Sequence, residues 1–227
     1  MPDSTTRLVI FDCDGVLVDS EAIACRVDAR ILTSLGFPHG FDDMRDRYVG
    51  IPTAAMCADI EARFGRPLPP DIAQRLLDAV LAAFEDELEP IPGIAAALDA
   101  IDLPRCVASS SSPPRIRRSL EIAGLLNRLE PHLFSATMVA RGKPAPDIFL
   151  HAASAMGVDP RGCAVVEDSV PGVLAARAAG MRVLGFVGGG HCGPGHAARL
   201  AAAGAELAFD DMTDLPRLLA AQGGTRA

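Results

Sequence analysis

The sequence contains no tryptophan and a single tyrosine, and aromatic residues make up only 4% of its 227 residues. A hydrophobic core must therefore be built from Leu, Val, Ile and Ala, a composition that suits helices packed closely on a sheet. With 49% hydrophobic and 22% charged residues, the chain is long and apolar enough for a sizeable core. These proportions predict a globular protein.

The chain also lacks an excess of basic residues. Its 21 Lys and Arg stand against 29 Asp and Glu, which gives a formal net charge of -8. A nucleic-acid surface needs a basic face that neutralises phosphates, so we do not expect nucleic-acid binding. An anionic ligand would need a locally positive site.

Long apolar runs and paired cysteines are missing as well. No apolar run approaches the roughly 18 residues of a membrane span, and MPDSTTR at the start lacks the pattern of a signal peptide. The scattered cysteines, without a C-x-x-C pair, indicate small buried hydrophobic residues rather than zinc ligands or disulfides. They are Cys13, Cys25, Cys57, Cys106, Cys163 and Cys192. We expect a cytoplasmic monomer without membrane contact.

Several short apolar segments are typical of buried parallel strands. RLVIFD, RCVASS, GCAVVEDS, MRVLGFVGG and, more weakly, AELAFDD are continuously hydrophobic and end in acidic, hydroxyl or glycine residues. Continuous hydrophobicity marks strands that are covered on both faces. Because ligands bind at the carboxyl ends of such strands, the polar ends should meet in one site. The pattern predicts an α/β fold with a doubly wound, Rossmann-like parallel sheet.

A helical insert is predicted between the first two strands. SEAIACRVDARILTSLGF has apolar residues at four-residue steps and Ser20 as a candidate N-cap. PPDIAQRLLDAVLAAFEDEL carries a second apolar stripe, and EPIPG indicates the return to the sheet, before a further helix. We predict an α/β core domain of residues 1–15 and 91–227, with a helical-bundle cap domain inserted at residues 16–90.

The segment LVIFDCDGVLVDSE ends a buried strand with two acids one residue apart. If the strand continues through them, Asp12 and Asp14 face the same side, and Gly15 permits a sharp turn. Two carboxylates this close repel, so one stays protonated unless a cation intervenes. From spacing alone, a turn or a helix cap explains the pair equally well.

Other strand ends add candidate ligands. Glu167 and Asp168 in VVEDS offer hard oxygen atoms without a His or Cys in the same motifs, which favours Mg²⁺ over zinc. In VASSSSPP, Ser109 and the amide of Ser110 could donate to an anionic oxygen, or the serines could cap a helix. Lys143 in ARGKPAPDIF is either solvated or places a cation beside the acids.

Four segments in order, FDCDGVLVDSE, VASS, GKPAPDIF and VVEDSVPGV, resemble the motifs of the haloacid dehalogenase superfamily, in its helical-cap branch of phosphatases and phosphomutases. The resemblance runs from Leu8 to about Gly185. Within the branch, FDCDGVLVDSE and AAGMRVLGF are most similar to sugar-phosphate phosphatases of the 6-phosphogluconate phosphatase type. The resemblance implies a Mg²⁺-dependent hydrolase of a small phosphate ester, a sugar phosphate or phosphosugar acid, that works through an aspartyl-phosphate.

The resemblance also implies a role for each motif residue. Asp12 would be the nucleophile, and Asp14 would protonate the leaving alcohol and then activate water. Ser109, assisted by the Ser110 amide, would bind a phosphoryl oxygen. Lys143 would offset the charge between the nucleophile and the phosphate.

For the metal, the resemblance implies that Mg²⁺ is bound by the Asp12 carboxylate, the Asp14 main-chain carbonyl and Asp168. Glu167 would act more distantly, through water. Such positive charge is needed because a phosphate dianion repels an anionic nucleophile.

Substrate choice would depend on the cap, where Glu21, Arg45, Arg47 and Thr53 are the candidates. For each of them, a solvated helix face is the simpler explanation.

A β-phosphoglucomutase-like phosphomutase is the alternative within the same family. Such mutases carry a His after the first motif, an Arg in the cap and a Lys after the serine motif. The corresponding positions here are Ala24, about Thr53 and Ser112. Since a mutase must hold a bisphosphate, the missing groups favour hydrolysis.

A nicotinamide-dependent oxidoreductase is the alternative from another class. GGGHCG at residues 188–193 formally matches G-x-G-x-x-G. However, the match follows a late strand, and too few residues come after it for the rest of a dinucleotide-binding half. We predict a flexible surface loop instead, with His191 and His196 exposed to solvent.

Overall fold

The computed structural model describes residues 5–221, with a six-stranded parallel sheet at the centre. The strands are β1 (Leu8–Phe11), β2 (Arg105–Ser109), β3 (Leu133–Ser135), β4 (Cys163–Glu167), β5 (Arg182–Phe186) and β6 (Leu207–Phe209). Their order in the sheet is β3-β2-β1-β4-β5-β6. Chain order therefore reverses beside β1, and in open α/β sheets the ligand crevice lies at that reversal.

β1 is a central strand and is buried along its whole length. Ile10 lies opposite Cys106 of β2 and Val165 of β4, in parallel register on both sides. The predicted strands are all present. β3 was not expected from the sequence, because it is three residues long and only partly buried and so lacks the continuous apolar signal.

The helices fall into two groups along the chain. Between β1 and β2 lie α1 (Glu21–Ser34), α2 (Phe41–Tyr48), α3 (Thr53–Phe64) and α4 (Ile72–Glu87). After them come α5 (Ile94–Ala100), α6 (Pro113–Ile122), α7 (Asp147–Ala155), α8 (Val170–Ala178), α9 (His196–Ala203) and α10 (Leu215–Ala220). The doubly wound α/β fold with a helical insert is confirmed.

Two apolar clusters cover the two faces of the sheet. Val9 and Phe11 belong to the cluster that includes α5, α6 and α10, whereas Leu8 and Ile10 belong to the cluster that includes α7, α8 and α9. Successive residues of a strand point to opposite faces, so β1 is packed on both sides. Burying each large apolar side chain contributes about 1.5–3 kcal/mol.

The inserted helices have an apolar cluster of their own, in which Leu32, Met44, Ile60 and Leu76 represent α1 to α4. Phe84, further along α4, joins the cluster on the sheet instead, so this end of α4 packs against the sheet. The exact domain boundaries stay a prediction. None of the helices described within residues 5–221 combines the length and apolar composition that a bilayer span requires.

The cysteines largely follow the expectation from their spacing. All six are free; Cys57 and Cys192 are partly exposed, and the other four are buried. Cys192 is not a simple apolar residue, because its Sγ lies 3.4 Å from a ring nitrogen of His191.

Candidate active site

The strand β1 stops at Phe11, before the two acids. The amide of Asp12 still donates to β4, and the chain then turns at Gly15, which has φ +78°. A Cβ at this glycine would also lie 1.9 Å from Oδ2 of Asp168, so both backbone and space require glycine. The strand therefore does not continue through Asp14, so the condition for both acids facing one side is not met, and other contacts orient the Asp14 side chain.

Asp12 lies with Glu167 and Asp168 in one buried group of carboxylates. One oxygen of each lies within 4.8 Å of the others, and none of the three residues is more than 5% exposed. Burial raises the pKa of Asp12 well above its usual value, and the neighbouring acids raise it further, whereas Lys143 lowers it. The group therefore needs positive charge to hold Asp12 as a carboxylate.

Lys143 supplies part of that charge. Its Nζ lies 3.1 Å from Oδ1 of Asp12 and 2.5 Å from Oε1 of Glu167, and the residue is only 4% exposed. The solvated alternative for this lysine is therefore excluded. Burial lowers the pKa of Lys143, but the two carboxylates outweigh burial and raise it above the ordinary value, so the ammonium stays charged.

The donor set fits a hard divalent cation such as Mg²⁺. One lysine among three carboxylates leaves excess negative charge, and Oδ2 of Asp168 has no aligned hydrogen-bond donor. Glu167 is already occupied by Lys143 and by the amide and hydroxyl of Ser169, at 3.1 and 2.9 Å. Asp12 and Asp168 are thus the side chains best placed to hold the ion.

Asp14 is held by a second set of residues. The hydroxyls of Ser20 and Ser111 each donate to its carboxylate at 2.6 Å, and Arg115 donates at 2.8 Å. Ser109 Oγ lies further off, at 3.5 Å. Burial would raise the pKa of Asp14, but Arg115, Ser111 and Ser20 together hold it below its ordinary value. Asp14 is therefore a carboxylate in this arrangement.

Sequence reasoning misses three members of this second set. Ser20 stands at the predicted N-cap position of α1, but its hydroxyl donates to Asp14 and forms no cap bond, and this contact was not predicted. Nothing in the sequence distinguishes Ser111 from the other three serines of residues 109–112. Arg115 lies in the first turn of α6, directly after the strand-end serine loop, and that position is the signal that could have identified it.

The serine loop after β2 joins the sheet to the inserted helices. Ser109 is buried, and its Oγ accepts a hydrogen bond from the amide of Ser111 at 3.0 Å. Ser110 donates through its hydroxyl to the main-chain oxygen of Gly50, in the loop between α2 and α3, at 3.3 Å. Phosphate binding by Ser109 and Ser110 stays a prediction.

A cavity of about 260 Å³ lies between the strand ends and the inserted helices. Its charged lining residues are Asp12, Asp14, Glu21, Asp28 and Arg115. Burial, and then the charge of Asp14, raise the pKa of Glu21 to about 8. Burial also raises the pKa of Asp28 to about 6, against the influence of Arg115. Among the described residues that line the cavity, Arg115 is the one cation.

The four cap candidates do not all lie at this cavity. Glu21 and Thr53 line it. Arg45 forms an ion pair with Asp46 at 2.8 Å on the surface of α2, and Arg47 is exposed. The structure does not bring Arg45 or Arg47 to the cavity.

The glycine-rich loop after β5 packs against the site. His191 is 3% exposed and His196 is 8% exposed, so the prediction that both are solvent-exposed is wrong. The ring Nε2 of His191 lies 2.9 Å from Oδ2 of Asp168. Burial lowers the pKa of His191, but contacts with Asp168 and Cys192 outweigh it and raise that pKa to about 11.

Close packing within the chain explains the glycines of this loop. A Cβ at Gly188 would lie 2.2 Å from the main-chain oxygen of Asp210, and one at Gly190 would lie 2.8 Å from the carboxylate of Asp19. Asp19 also accepts a hydrogen bond from the Gly190 amide at 2.9 Å. Packing within the chain therefore explains why glycine occupies these positions, without a bound dinucleotide.

The chain is similar to hydrolases along most of its length. A family model described as haloacid dehalogenase-like hydrolase matches residues 6–180. The 6-phosphogluconate phosphatase of Escherichia coli K12 is 32% identical over 221 residues, which cover 97% of each chain. A phosphorylated carbohydrates phosphatase of Thermotoga maritima is 32% identical over 187 residues, 79% of this chain and 84% of the relative.

A solved structure is similar over nearly the whole fold. It is that of a conserved haloacid dehalogenase-like protein of unknown function from Agrobacterium tumefaciens, 42% identical, with a TM-score of 0.83. The match covers 96% of this chain and 100% of that one. The resemblance that the four motifs carry is confirmed by these similarities.

Proposed function

This chain belongs to the family of haloacid dehalogenase-like hydrolases, and from that membership we propose that it is a Mg²⁺-dependent phosphatase of a small phosphorylated sugar or sugar acid. The observation that carries the proposal is the position of Asp12 at the reversal of strand order, buried beside Lys143 and Asp168. A carboxylate so placed has cationic support on one side and the substrate cavity on the other.

In the proposed reaction, Asp12 is the nucleophile. A carboxylate oxygen of Asp12 forms a bond to phosphorus, and the bond from phosphorus to the ester oxygen breaks. Asp14 gives a proton to the leaving oxygen. A water molecule then attacks phosphorus while Asp14 takes its proton, and the bond from phosphorus to the Asp12 oxygen breaks. Inorganic phosphate is released and the Asp12 carboxylate is restored.

Charge compensation makes the attack feasible. Asp12 and Asp168 would hold Mg²⁺, which when bound would supply positive charge that offsets the phosphate dianion. Lys143 adds a fixed ammonium 3.1 Å from Asp12, and its burial keeps water from screening that charge. Ser109 and the Ser110 amide donate to phosphoryl oxygens.

Asp14 must carry a proton before it can give one. In this structure Arg115 and Ser111 favour the carboxylate form of Asp14. The contact with Arg115 therefore has to be weaker in the substrate complex, which happens when the substrate offers Arg115 another acceptor. The identity of the leaving group and the acid step are linked through Arg115.

The cavity favours a leaving group that carries hydroxyls and a negative charge. Oδ1 of Asp28 and Nε of Arg115 are buried and lack hydrogen-bond partners, so they are available to a hydroxyl and to a carboxylate. By its name, the Escherichia coli relative acts on 6-phosphogluconate, a phosphosugar acid. In the proposal, the insert at residues 16–90 is the cap that selects such a group, with Glu21 and Thr53 also at the cavity.

The cavity also favours hydrolysis over a mutase reaction. Ala24, Thr53 and Ser112, which stand where the resembling mutases carry His, Arg and Lys, all line it. Small uncharged side chains at these positions leave a second phosphate without cationic partners. They also leave room for the water that the second step requires.

The test is phosphate release from phosphosugars, phosphosugar acids, phosphoglycolate and nucleotides with Mg²⁺. We expect phosphate from a sugar phosphate or phosphosugar acid, loss of activity with EDTA and recovery on adding Mg²⁺. Activity that survives chelation would exclude the metal site. Conversion of glucose 1-phosphate to glucose 6-phosphate without free phosphate would establish the mutase instead.

A further inference from the structure

The loop after β5 and the first residue of α9 supply two buried histidines that the proposed reaction does not use. His191 is the fourth residue and His196 the last residue of GGGHCGPGH at positions 188–196, and both contact a single residue, Asp168. Asp168 follows directly after β4, so it lies beyond the last ladder bond of its strand. Its orientation must be fixed by something other than the sheet.

His196 holds the main chain of Asp168. Its Nε2 lies 2.5 Å from the Asp168 carbonyl oxygen, and Arg199 donates to its Nδ1 at 2.9 Å. Because a guanidinium can only donate, Nδ1 is the acceptor and Nε2 carries the proton. His196 therefore donates to the carbonyl, and Arg199 selects the tautomer that allows it.

His191 holds the side chain of the same residue. Its Nε2 lies 2.9 Å from Oδ2 of Asp168, and both side chains are almost completely buried. The contact is close but is not an aligned hydrogen bond, so Oδ2 keeps a lone pair for another partner. Asp12 and Glu167 crowd the same space and repel Asp168, which makes a restraint necessary.

The loop is built to keep these histidines in place. The Gly190 amide donates to Asp19, in the segment that follows β1, at 2.9 Å. The ring of His191 packs so closely on the backbone that a Cβ at Gly189 would lie 2.9 Å from its Cε1. A Cβ at Gly15 would lie 2.8 Å from the same atom. The ring is thus confined from two sides.

A soft-metal site is the rival interpretation of the loop. One ligand atom each of His191, Cys192 and His196 lies within 4.8 Å of the others. Yet both ring nitrogens of His196 already have partners, Arg199 and the Asp168 carbonyl. Metal binding would have to break one of these two contacts, so the observed arrangement favours a positioning role.

We propose that His191 and His196 are positioning residues that hold Asp168 in the orientation in which it binds the divalent cation. The inference rests on the proposed function, because it concerns the metal site of that function. Residues that orient metal ligands in this way typically contribute about 10- to 100-fold to metal affinity.

The test measures Mg²⁺ affinity of the whole protein by calorimetry, without substrate. His191→Phe keeps a ring of similar size and removes both nitrogens; His151→Phe, at an exposed histidine of α7, is the matched control. We expect the Mg²⁺ Kd of His191→Phe to rise about 10- to 100-fold and that of the control to stay unchanged. The kcat of His191→Phe should recover largely at saturating Mg²⁺. An unchanged Kd in a folded His191→Phe protein would overturn the inference.

Two further measurements keep the outcome clear. If circular dichroism shows that His191→Phe does not fold, His196→Phe is measured in its place, and we expect the same rise in the Mg²⁺ Kd. Zn²⁺ titration in saturating Mg²⁺ should be the same for wild type and Cys192→Ser; a Zn²⁺ equivalent that Cys192→Ser loses would overturn the positioning role. If the wild type neither binds Mg²⁺ nor releases phosphate, the proposed function itself has failed.

Discussion

Arg115 donates a hydrogen bond to Asp14, with 2.8 Å between Nη2 and Oδ1. The guanidinium comes from α6, lies 5.4 Å from the ring centroid of Phe84 on α4, and lines the cavity. One cation therefore contacts the proposed acid, the inserted helices and the space for the leaving group.

Asp14→Asn should depend on the leaving group. We expect kcat/KM for a sugar phosphate to fall about 10²- to 10⁴-fold, because the sugar alkoxide needs a proton to leave. The loss should be much smaller for p-nitrophenyl phosphate, whose phenolate leaves without one. Steady-state kinetics on both substrates check this, with exposed Asp46→Asn as the control. An equal fall in kcat/KM for the two substrates would show that Asp14 is not the general acid.

Arg115→Lys should change substrate preference more than turnover in general. Lysine keeps the charge but loses the planar fork that binds a carboxylate, an interaction worth about 1.5–3 kcal/mol. The ratio of kcat/KM for gluconate 6-phosphate to that for glucitol 6-phosphate should therefore fall about tenfold or more. Arg117→Lys, at an exposed arginine of the same helix, should leave the ratio unchanged. A parallel loss on both substrates would contradict a role in specificity.

The sheet and the motif acids could be predicted from the sequence because their signals are local. Continuous apolar runs such as RLVIFD identify buried strands wherever they occur, and the parallel arrangement brings their polar ends together. That reasoning placed Asp12, Glu167 and Asp168 near one another, whereas the position of Lys143 beside Asp12 was implied only by the family resemblance; the structure shows all four together.

The contacts of Asp14 with Ser20 and Ser111 and the burial of His191 could not be predicted, because they depend on tertiary packing, and Arg115 could be identified only as a candidate by its place after the serine loop. Asp14 and Arg115 are 101 residues apart in the chain. A glycine-rich loop has no hydrophobic period that would indicate burial, yet the Gly190 amide bonds to Asp19 across 171 residues. Only the assembled fold puts this loop against Asp168.

Lys143→Met should destabilise the protein strongly. Removing the ammonium leaves Asp12 and Glu167 buried beside each other without their partner, a loss of about 3–5 kcal/mol in the free energy of unfolding. Urea unfolding without metal measures it. Arg161→Met, which breaks the exposed pair with Asp159, should change the free energy little. If Lys143→Met lowers the free energy of unfolding as little as the control does, Lys143 does not stabilise the buried carboxylates of Asp12 and Glu167.

Stability should carry a pH dependence from Asp28. Burial raises the folded-state pKa of Asp28 to about 6, above its ordinary value of 3.8, so the folded state holds the proton more tightly. This contribution is fully present below about pH 4 and is lost as pH rises through 6. Asp28→Asn does not titrate at this position. As pH rises from 4 to 7, the melting temperature of the variant minus that of the wild type should therefore increase. A difference that stays constant over this range would show that Asp28 has no raised pKa.

The most direct test of the central claim is to trap the phosphoryl group on Asp12. Protein is mixed with Mg²⁺ and ³²P-labelled substrate, quenched in acid during turnover, and digested for peptide analysis. We predict acid-stable label on the peptide that contains Asp12, lost on treatment with hydroxylamine, and neither label nor phosphate release in a folded Asp12→Asn variant. Normal turnover by Asp12→Asn, or label on another residue, would contradict the proposed mechanism.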